Sequence, residues 1–254
     1  MNVNRVPVYV VIPTYNEAQS IPVLLKEIFE LGIKNIDVLI VDDNSPDSTA
    51  KVARCYARKN GLSVSILNRP TKKGLGSAYV EGFKEVLQGL PEGEVFVVQM
   101  DADMSHDPSY LPGMIELLAR NDVVVGSRYC QEGGSDEKWS VYRKGLSAGG
   151  NWAIRFVSGL KVNDCTSGFK VFRAHVLKDI FWDEIRCSGF GFQIEIAMQC
   201  ENHGFKIQEY PIIFNDRVFG NSKMSIAIVL EAMFKIICER FKIFKVIKFL
   251  KPNT

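Results

Sequence analysis

Short apolar runs rich in β-branched residues alternate with helix-like stretches through the first half of the chain, and this rhythm restricts the possible folds. Five strands are predicted, at Val8–Ile12, Val38–Val41, Val64–Leu67, Val95–Met100 and Val123–Val125. Four helices are predicted between them, at Ile21–Leu31, Thr49–Lys59, Ser77–Leu87 and Leu111–Arg120. Strands that are apolar throughout need cover on both faces. The pattern therefore predicts an α/β fold with a mostly parallel, Rossmann-like sheet and helices on both faces.

The second half is less regular, and we interpret it as a continuation of the same domain. It contains predicted helices at Trp139–Val157 and Phe192–Asn202, predicted strands at Phe169–Phe172 and Ile207–Phe214, and a long predicted helix at Ile226–Leu250. We expect one catalytic domain over residues 1–224 and a separate C-terminal helix over residues 225–254.

Composition excludes several classes of protein. Of 254 residues, 46% are hydrophobic and 24% charged, and the net charge is +2, which argues against a disordered chain and against a general polyanion binder. The six cysteines form no CxxC pair, so we expect neither a zinc site nor a disulfide framework, and we infer a reducing compartment. We expect no signal peptide and no transmembrane span.

A polar cluster follows each of the five predicted strands. The clusters are Pro13–Glu17, Asp42–Asp47, Arg69–Gly76, Asp101–Asp107 and Gly126–Tyr129. Open α/β sheets bind ligands beyond the carboxyl ends of their strands. Five such clusters at one edge of the sheet predict a binding site there.

Asp101 and Asp103 are the candidate metal ligands at this edge. Side chains two apart on a strand point to the same side, so both carboxylates could reach one cation. Hard oxygen ligands with open positions suit Mg²⁺ or Mn²⁺ shared with substrate phosphates. A D-x-D sequence alone is usually a solvated turn, but Glu17, Asp43 and Arg128 at the same edge favour a functional site.

Three other segments carry candidate roles, each with a plain structural alternative. Of Asp42 and Asp43, we expect one to be held by the backbone N–H groups of the turn and the other to bind ligand. Lys72–Gly76 opens a helix and could attract phosphate, although a simple helix start is equally consistent. Arg128 could bind phosphate opposite Asp103 or form an ion pair with one of the two D-x-D acids.

Together the motifs resemble family 2 glycosyltransferases and, within them, the dolichyl-phosphate (polyprenyl-phosphate) mannose synthases. The matching pieces are PTYNE at 13–17, VDDNSPDST at 41–49, KKGLGSAY at 72–79, DADMSHDP at 101–108, GSRY at 126–129, FQIE at 192–195 and RVFGNSKM at 217–224. They span roughly residues 6–225 in the order that the family shows. The resemblance implies the nucleotide-diphosphosugar transferase fold.

The resemblance also implies roles for single residues. The nucleoside and donor would be held by Pro13, Tyr15, Glu17, Val41, Asp43, Asp101, Ala102, Asp103, Arg128, Arg217 and Lys223. The metal would be bound by Asp101, Asp103 and Ser105, and the acceptor phosphate by Arg128, Arg143 and Ser147. Asp103 and Arg128 would be the catalytic residues. The acceptor helix departs from the family pattern, since it reads Ser-Ala-Gly-Gly-Asn at 147–151 and lacks one arginine.

The implied reaction is transfer of mannose from GDP-mannose to dolichyl or polyprenyl phosphate with inversion. The alternatives are a related transferase that uses UDP-glucose or UDP-N-acetylglucosamine, and a subunit that binds nucleotide-sugar without turnover. A receiver-like signalling module would leave most of the motifs unexplained, and no nucleic-acid-binding motif is present, so we expect no nucleic-acid partner.

The C-terminal segment differs in charge from the rest of the chain. Lys235–Lys251 contains six basic residues and one acidic residue, a net charge of +5, so the remainder carries −3. Apolar and lysine positions fall on separate faces, which predicts a basic amphipathic helix on a membrane surface, or a helix packed on the core. A lipid-linked acceptor implies a peripheral protein on the cytoplasmic face of a membrane, either endoplasmic reticulum or plasma membrane, with small membrane-anchoring subunits as possible partners.

Overall fold

A computed structural model describes residues 5–136, 139–185, 189 and 191–216. The first five strands are β1 (Val8–Thr14), β2 (Ile36–Asp42), β3 (Val64–Asn68), β4 (Phe96–Gln99) and β5 (Val123–Ser127). The first four helices are α1 (Ile21–Glu30), α2 (Thr49–Asn60), α3 (Leu75–Gln88) and α4 (Leu111–Leu117), the last preceded by a 3-10 turn at Pro108–Tyr110. All nine predicted elements of the first half are confirmed, with bounds that differ by at most three residues.

The second half adds four strands and three helices to the part of the chain that the structure describes. They are β6 (Gly134–Ser135), α5 (Val141–Ser158), β7 (Lys170–Arg173), α6 (Ala174–Asp179), α7 (Gly191–Asn202), β8 (Ile207–Pro211) and β9 (Ile213–Phe214). The single strand predicted over Ile207–Phe214 is wrong, because the structure divides it into β8 and β9, which belong to different sheets. The predicted helix over Ile226–Leu250 lies outside the described residues.

The main sheet has seven strands in the order β3-β2-β1-β4-β7-β5-β8. Strand β7 runs antiparallel to both of its neighbours, and the other pairs are parallel. A second small sheet pairs β6 with β9. The prediction of a mostly parallel sheet is therefore confirmed. The inserted β7 reverses direction, which brings the loop before it to the carboxyl edge of β4 and β5.

Alternate side chains of each strand enter separate cores on the two faces of the sheet. In β1, Val10 and Ile12 pack with α1 and α4, while Val11 packs with Tyr79 and Phe83 of α3. The same alternation in β2 and β4 explains why these strands are apolar throughout. Helices cover both faces, as the sequence predicts.

Gly82 lets α3 lie close against the sheet. A Cβ atom at this position would lie 2.6 Å from Val11 Cγ1 and 2.8 Å from Val41 Cγ2. We expect Gly82→Ala to lower the free energy of unfolding by about 1–3 kcal/mol through overpacking, as measured by urea denaturation.

Gly89→Ala, at the end of the same helix, is the matched control. A Cβ there meets no atom within 4 Å. We expect this variant to stay within about 0.5 kcal/mol of wild type. Equal stability of the two variants would show that α3 does not approach the sheet this closely.

Candidate functional site

The loops after the first three strands are joined to one another at the carboxyl edge of the sheet. The Asp43 N–H donates to the Thr14 carbonyl at 3.0 Å, and the Arg69 N–H donates to the Asp42 carbonyl at 2.8 Å. The Asn16 N–H donates to Ser45 Oγ at 3.1 Å. Three of the predicted polar clusters therefore form one continuous surface.

Asp42 is the acid that the turn holds, as the sequence predicts, while ligand binding by Asp43 stays a prediction. Asp42 accepts from the Ser45 N–H at 2.9 Å, from Ser45 Oγ at 2.6 Å and from Thr14 Oγ1 at 2.9 Å. Asp43 instead forms a buried ion pair with Arg69, which also contacts Glu81 at 3.1 Å. Arg69 begins the third polar cluster, but the sequence analysis gave it no role of its own. Its pairing with Asp43 fixes that carboxylate at the carboxyl edge of the sheet.

Further residues predicted to bind the donor lie on β1, on β2 and in the loop after β1. Pro13 and Val41 are partners across the β1–β2 ladder. The Lys72 ammonium lies 3.5 Å from the centre of the Tyr15 ring, and Glu17 accepts from Ser20 Oγ at 2.7 Å. Two further predicted donor residues, Arg217 and Lys223, lie outside the described residues. The nucleoside-binding roles stay predictions.

The D-x-D segment is a turn and not the end of a strand. Strand β4 ends at Gln99, two residues before Asp101, and Met104 has a positive φ of 65°. The argument from strand alternation is therefore wrong for these carboxylates, although the turn still places both at the carboxyl edge. Ala102, between them, is buried.

Hydrogen bonds orient both carboxylates. The Tyr79 hydroxyl donates to Asp101 Oδ1 at 2.7 Å. Asp103 Oδ1 accepts from the Ser105 N–H at 3.1 Å and from Ser105 Oγ at 2.6 Å. Tyr79 is buried in α3, and sequence reasoning missed it because no local signal links it to a segment 22 residues away.

Burial favours the neutral form of two groups beside Asp101 by shifting the pKa of each. Burial raises the pKa of Tyr79 well above its ordinary value, and the Asp101 charge raises it further, so the phenol remains a donor. Burial lowers the pKa of His106, which keeps the imidazole neutral. Its Nδ1 can therefore accept the Asp101 N–H at 3.1 Å, while the ring stacks on Phe169.

The donor set fits a hard divalent cation. Asp101 and Asp103 are carboxylates, and a Cβ at Gly168 would come within 3.1 Å of Asp101 Oδ2, so only glycine leaves this oxygen uncrowded. In the part of the chain that the structure describes, no group of three or more His, Cys, Asp or Glu residues could hold a metal. Two carboxylates with remaining positions for phosphate and water are what Mg²⁺ or Mn²⁺ accepts. The Ser105 hydroxyl contacts Asp103, and its role as a ligand stays a prediction.

Arg128 pairs with Asp164, which is not one of the D-x-D acids that the sequence analysis gave as alternative partners. Its Nε donates to Asp164 Oδ2 at 2.7 Å and one terminal nitrogen to Oδ1 at 2.8 Å. Asp164 is fully buried and lies in the loop before β7, whose antiparallel insertion brings it beside β5. Burial alone would raise the pKa of Asp164, but the guanidinium outweighs it and holds the pKa below its ordinary value.

The loop that holds Arg128 is itself anchored from the edge strand β8. Glu209 accepts from the Asp164 N–H at 2.9 Å and from Asn163 Nδ2 at 2.6 Å. The same loop continues to Gly168, which lies against Asp101. Residues 164–168 therefore connect the arginine to the D-x-D turn.

Two of the three predicted acceptor residues, Arg128 and Ser147, are linked through Tyr129. The Arg128 guanidinium lies 5.1 Å from the centre of the Tyr129 ring, and the Tyr129 hydroxyl contacts Ser147 Oγ at 2.7 Å. Arg143, one helical turn before Ser147 in α5, pairs with Asp216 at 3.2 Å. Sequence reasoning did not identify Tyr129 as the connection between Arg128 and α5.

A buried polar cluster lies beneath the site. The Lys170 ammonium donates to Gln193 Oε1 at 2.7 Å and to the Ser167 carbonyl, and Gln99 Nε2 donates to the same Gln193 oxygen at 2.6 Å. Burial lowers the pKa of Lys170 to about 8. The FQIE motif thus contributes Gln193 to the support of the loop before β7.

The fold and the carboxylate edge define the class of nucleotide-diphosphosugar transferases, and solved structures agree on the fold. Glucosyl-3-phosphoglycerate synthase from Mycobacterium tuberculosis, in complex with Mg²⁺ and UDP, matches with a TM-score of 0.65 at 17% identity, over 93% of this chain and 79% of that one. The same enzyme with Mn²⁺, UDP and glucosyl-3-phosphoglycerate matches with a TM-score of 0.64 at 16% identity, over 93% and 80%.

Residues 9–181 match the family described as Glycosyl transferase family 2, and the chain belongs to that family. It is 41% identical over 226 residues to undecaprenyl-phosphate mannosyltransferase from Micrococcus luteus, covering 89% of this chain and 90% of that protein. It is 37% identical over 228 residues to polyprenol monophosphomannose synthase from Mycolicibacterium smegmatis, covering 89% and 84%. The resemblance stated from the motifs is confirmed, and so is the prediction of a glycosyltransferase enzyme.

We expect Asp164→Asn to destabilise the protein because it leaves the buried Arg128 charge without its partner. The free energy of unfolding at pH 7 should fall by about 3–5 kcal/mol, as measured by urea denaturation. The native pKa of Asp164 is lowered, so its stabilisation is present above the unfolded value of about 3.9 and is lost as the pH falls through the native value. The difference between variant and wild type should shrink in acid.

Asp183→Asn is the matched control, because Asp183 is fully exposed and lies 3.9 Å from Lys84. Exposed pairs contribute little, so this variant should unfold like wild type. A wild-type unfolding curve for Asp164→Asn would contradict the importance of the buried pair.

Proposed function

We propose that this protein transfers mannose from GDP-mannose to a polyprenyl phosphate, with inversion at the anomeric carbon and with a divalent metal. The two curated relatives carry names for mannosyl transfer to a polyprenyl phosphate, and each aligns with almost nine tenths of the chain. The observation that carries the proposal is the 164–168 loop, which joins the Arg128 site at one end to the Asp101 turn at the other.

Asp101 and Asp103 would hold Mg²⁺ or Mn²⁺. When bound, the metal would neutralise charge on the diphosphate of the departing nucleotide. Tyr79 and Ser105 keep the two carboxylates in place before any ligand arrives, because each donates a hydrogen bond to one of them. Carboxylates held in this way need little rearrangement on binding.

Arg128, Arg143 and Ser147 would bind the acceptor phosphate. A phosphate monoester has a second pKa of about 6 and is largely dianionic near neutral pH, so it needs no general base. The task of the protein is then to bring two anionic reactants together and to orient the phosphate oxygen for attack. Arg128 can meet the phosphate while Asp164 holds its guanidinium in position.

Further donor contacts are proposed for Arg217 and Lys223, which would bind phosphate oxygens as the family motif implies. Both lie outside the described residues. Pro13, Tyr15, Glu17, Val41 and Asp43 would line the nucleoside site at the edge of β1 and β2.

The acceptor would place the protein peripherally at a membrane surface, on the cytoplasmic face. Among residues 5–136, 139–185, 189 and 191–216, no helix is both long enough and apolar enough to cross a bilayer. The basic segment over residues 225–254 would add an electrostatic contact with anionic lipid, and small membrane-anchoring subunits would be further partners.

A donor panel tests the proposal directly. Purified protein would be incubated with a short-chain polyprenyl phosphate, Mn²⁺ or Mg²⁺, and GDP-mannose, UDP-glucose or UDP-N-acetylglucosamine in turn. We expect release of GDP and formation of polyprenyl phosphate mannose only with GDP-mannose, and no product with excess EDTA. Release of UDP instead would identify the related transferase, and absence of all turnover would favour a non-catalytic subunit.

Two variants that each remove one negative charge complete this panel, one as the test of the metal site and the other as its control. Asp103→Asn should abolish turnover and leave the unfolding curve near that of wild type. Glu116→Gln, on the exposed side of α4, should retain activity. Full activity of Asp103→Asn, or full activity in EDTA, would contradict the assigned metal site.

A further inference from the structure

Helix α5 turns its apolar side chains to solvent, which is the reverse of an ordinary surface helix. Of its 18 residues, only Asn151, Ile154 and Ser158 are buried. Five large apolar side chains are between 56% and 87% exposed, and we name them the α5 stripe: Val141, Tyr142, Leu146, Trp152 and Phe156.

The α5 stripe is one continuous face. At about 100° per residue, its five members fall within a sector of roughly 140°, and the buried Asn151 and Ile154 lie on the other side of the helix. The rings of Trp152 and Phe156 stack with their centres 5.8 Å apart. The apolar surface is therefore a patch and not a scatter of single exposed residues.

Two glycines lie on the same face of α5, and no neighbouring atom in the described part of the chain requires a residue without a side chain there. A Cβ at Gly145 or Gly149 would meet no atom within 4 Å. Glycine weakens a helix interior, and this helix has few core contacts to compensate. A surrounding apolar phase would give α5 the support that the folded domain does not.

The charges of α5 suit an anionic surface. The helix contains Arg143, Lys144 and Arg155 and no acidic residue. Lys144 and Arg155 border one side of the α5 stripe and Arg143 the other. An apolar face with aromatic residues, bordered by basic side chains, is the pattern of helices that lie in the headgroup region of a bilayer.

We propose that the α5 stripe inserts into the headgroup–acyl boundary of an anionic membrane. This inference rests on the proposed function. Insertion of the α5 stripe would place the acceptor site at the depth of the lipid phosphate. Ser147 is on the same helix and contacts Tyr129 beside Arg128. The thickness of one helix, about 10 Å, separates the stripe from this site. A lipid phosphate could then reach Ser147 without leaving the membrane surface.

Vesicle binding by the full chain tests this surface without any acceptor. Vesicles of phosphatidylcholine with about one third phosphatidylglycerol would be mixed with protein and floated on a density gradient. We expect Phe156→Glu to weaken binding at least tenfold, which corresponds to about 1.4 kcal/mol. Val23→Glu is the matched control, because Val23 is 42% exposed on α1, across the sheet from α5. It should bind like wild type.

Fluorescence locates the contact. Trp152 is exposed, so brominated lipids should quench wild-type emission on binding, and Trp152→Phe should lose most of that quenching while still binding. Unchanged binding of Phe156→Glu would overturn the proposal and leave the basic C-terminal segment as the anchor. Failure of the wild type to bind vesicles, or a dimer that Phe156→Glu dissociates, would overturn it as well.

Activity measurements with two acceptors distinguish a failure of this proposal from a failure of the proposed function. Phe156→Glu should keep wild-type activity with a short, water-soluble polyprenyl phosphate and lose at least tenfold with a long-chain acceptor in vesicles. An equal loss with both acceptors would contradict a role in reaching the membrane. If wild type turns over neither acceptor, the proposed function fails, and the flotation result still decides whether α5 inserts.

Discussion

Negative charge gathered at the carboxyl edge of the sheet is balanced from inside the protein, and the site depends on this balance. Asp43 is paired with Arg69, and Asp164 with Arg128, in both cases with little exposure to solvent. Buried pairs of this kind hold their geometry because separating them would leave an unpaired charge in the interior. The D-x-D turn lies at the same edge, beside two carboxylates that already have buried basic partners.

The loop before β7 connects the Arg128–Asp164 pair to the D-x-D turn. It reaches the edge because β7 is inserted antiparallel between β4 and β5. One of its ends binds Arg128 and the other lies against the D-x-D turn, while Glu209 and Lys170 fix it from behind. The proposed donor and acceptor sites thus share one support, and the α5 stripe lies on the helix that carries Ser147, where we propose that it meets lipid.

Sequence periodicity predicted most of the sheet and both helical layers, because a buried parallel strand and an amphipathic helix each have a local signature. Periodicity did not predict the contacts between residues that are far apart in the sequence. The partner of Arg128 is 36 residues away in an irregular loop, and Tyr79 reaches Asp101 across 22 residues. The split of Ile207–Phe214 into two sheets is also non-local, since β6 supplies the partner of β9. The predicted C-terminal helix, Arg217 and Lys223 stay predictions.

Anomalous diffraction from crystals grown with Mn²⁺ and GDP tests the central assignment most directly. The account predicts one strong manganese peak within bonding distance of Asp101 or Asp103 and of the diphosphate, with Arg128 still paired to Asp164. A manganese peak remote from both carboxylates, with the nucleotide bound away from the edge of β1 and β2, would contradict it.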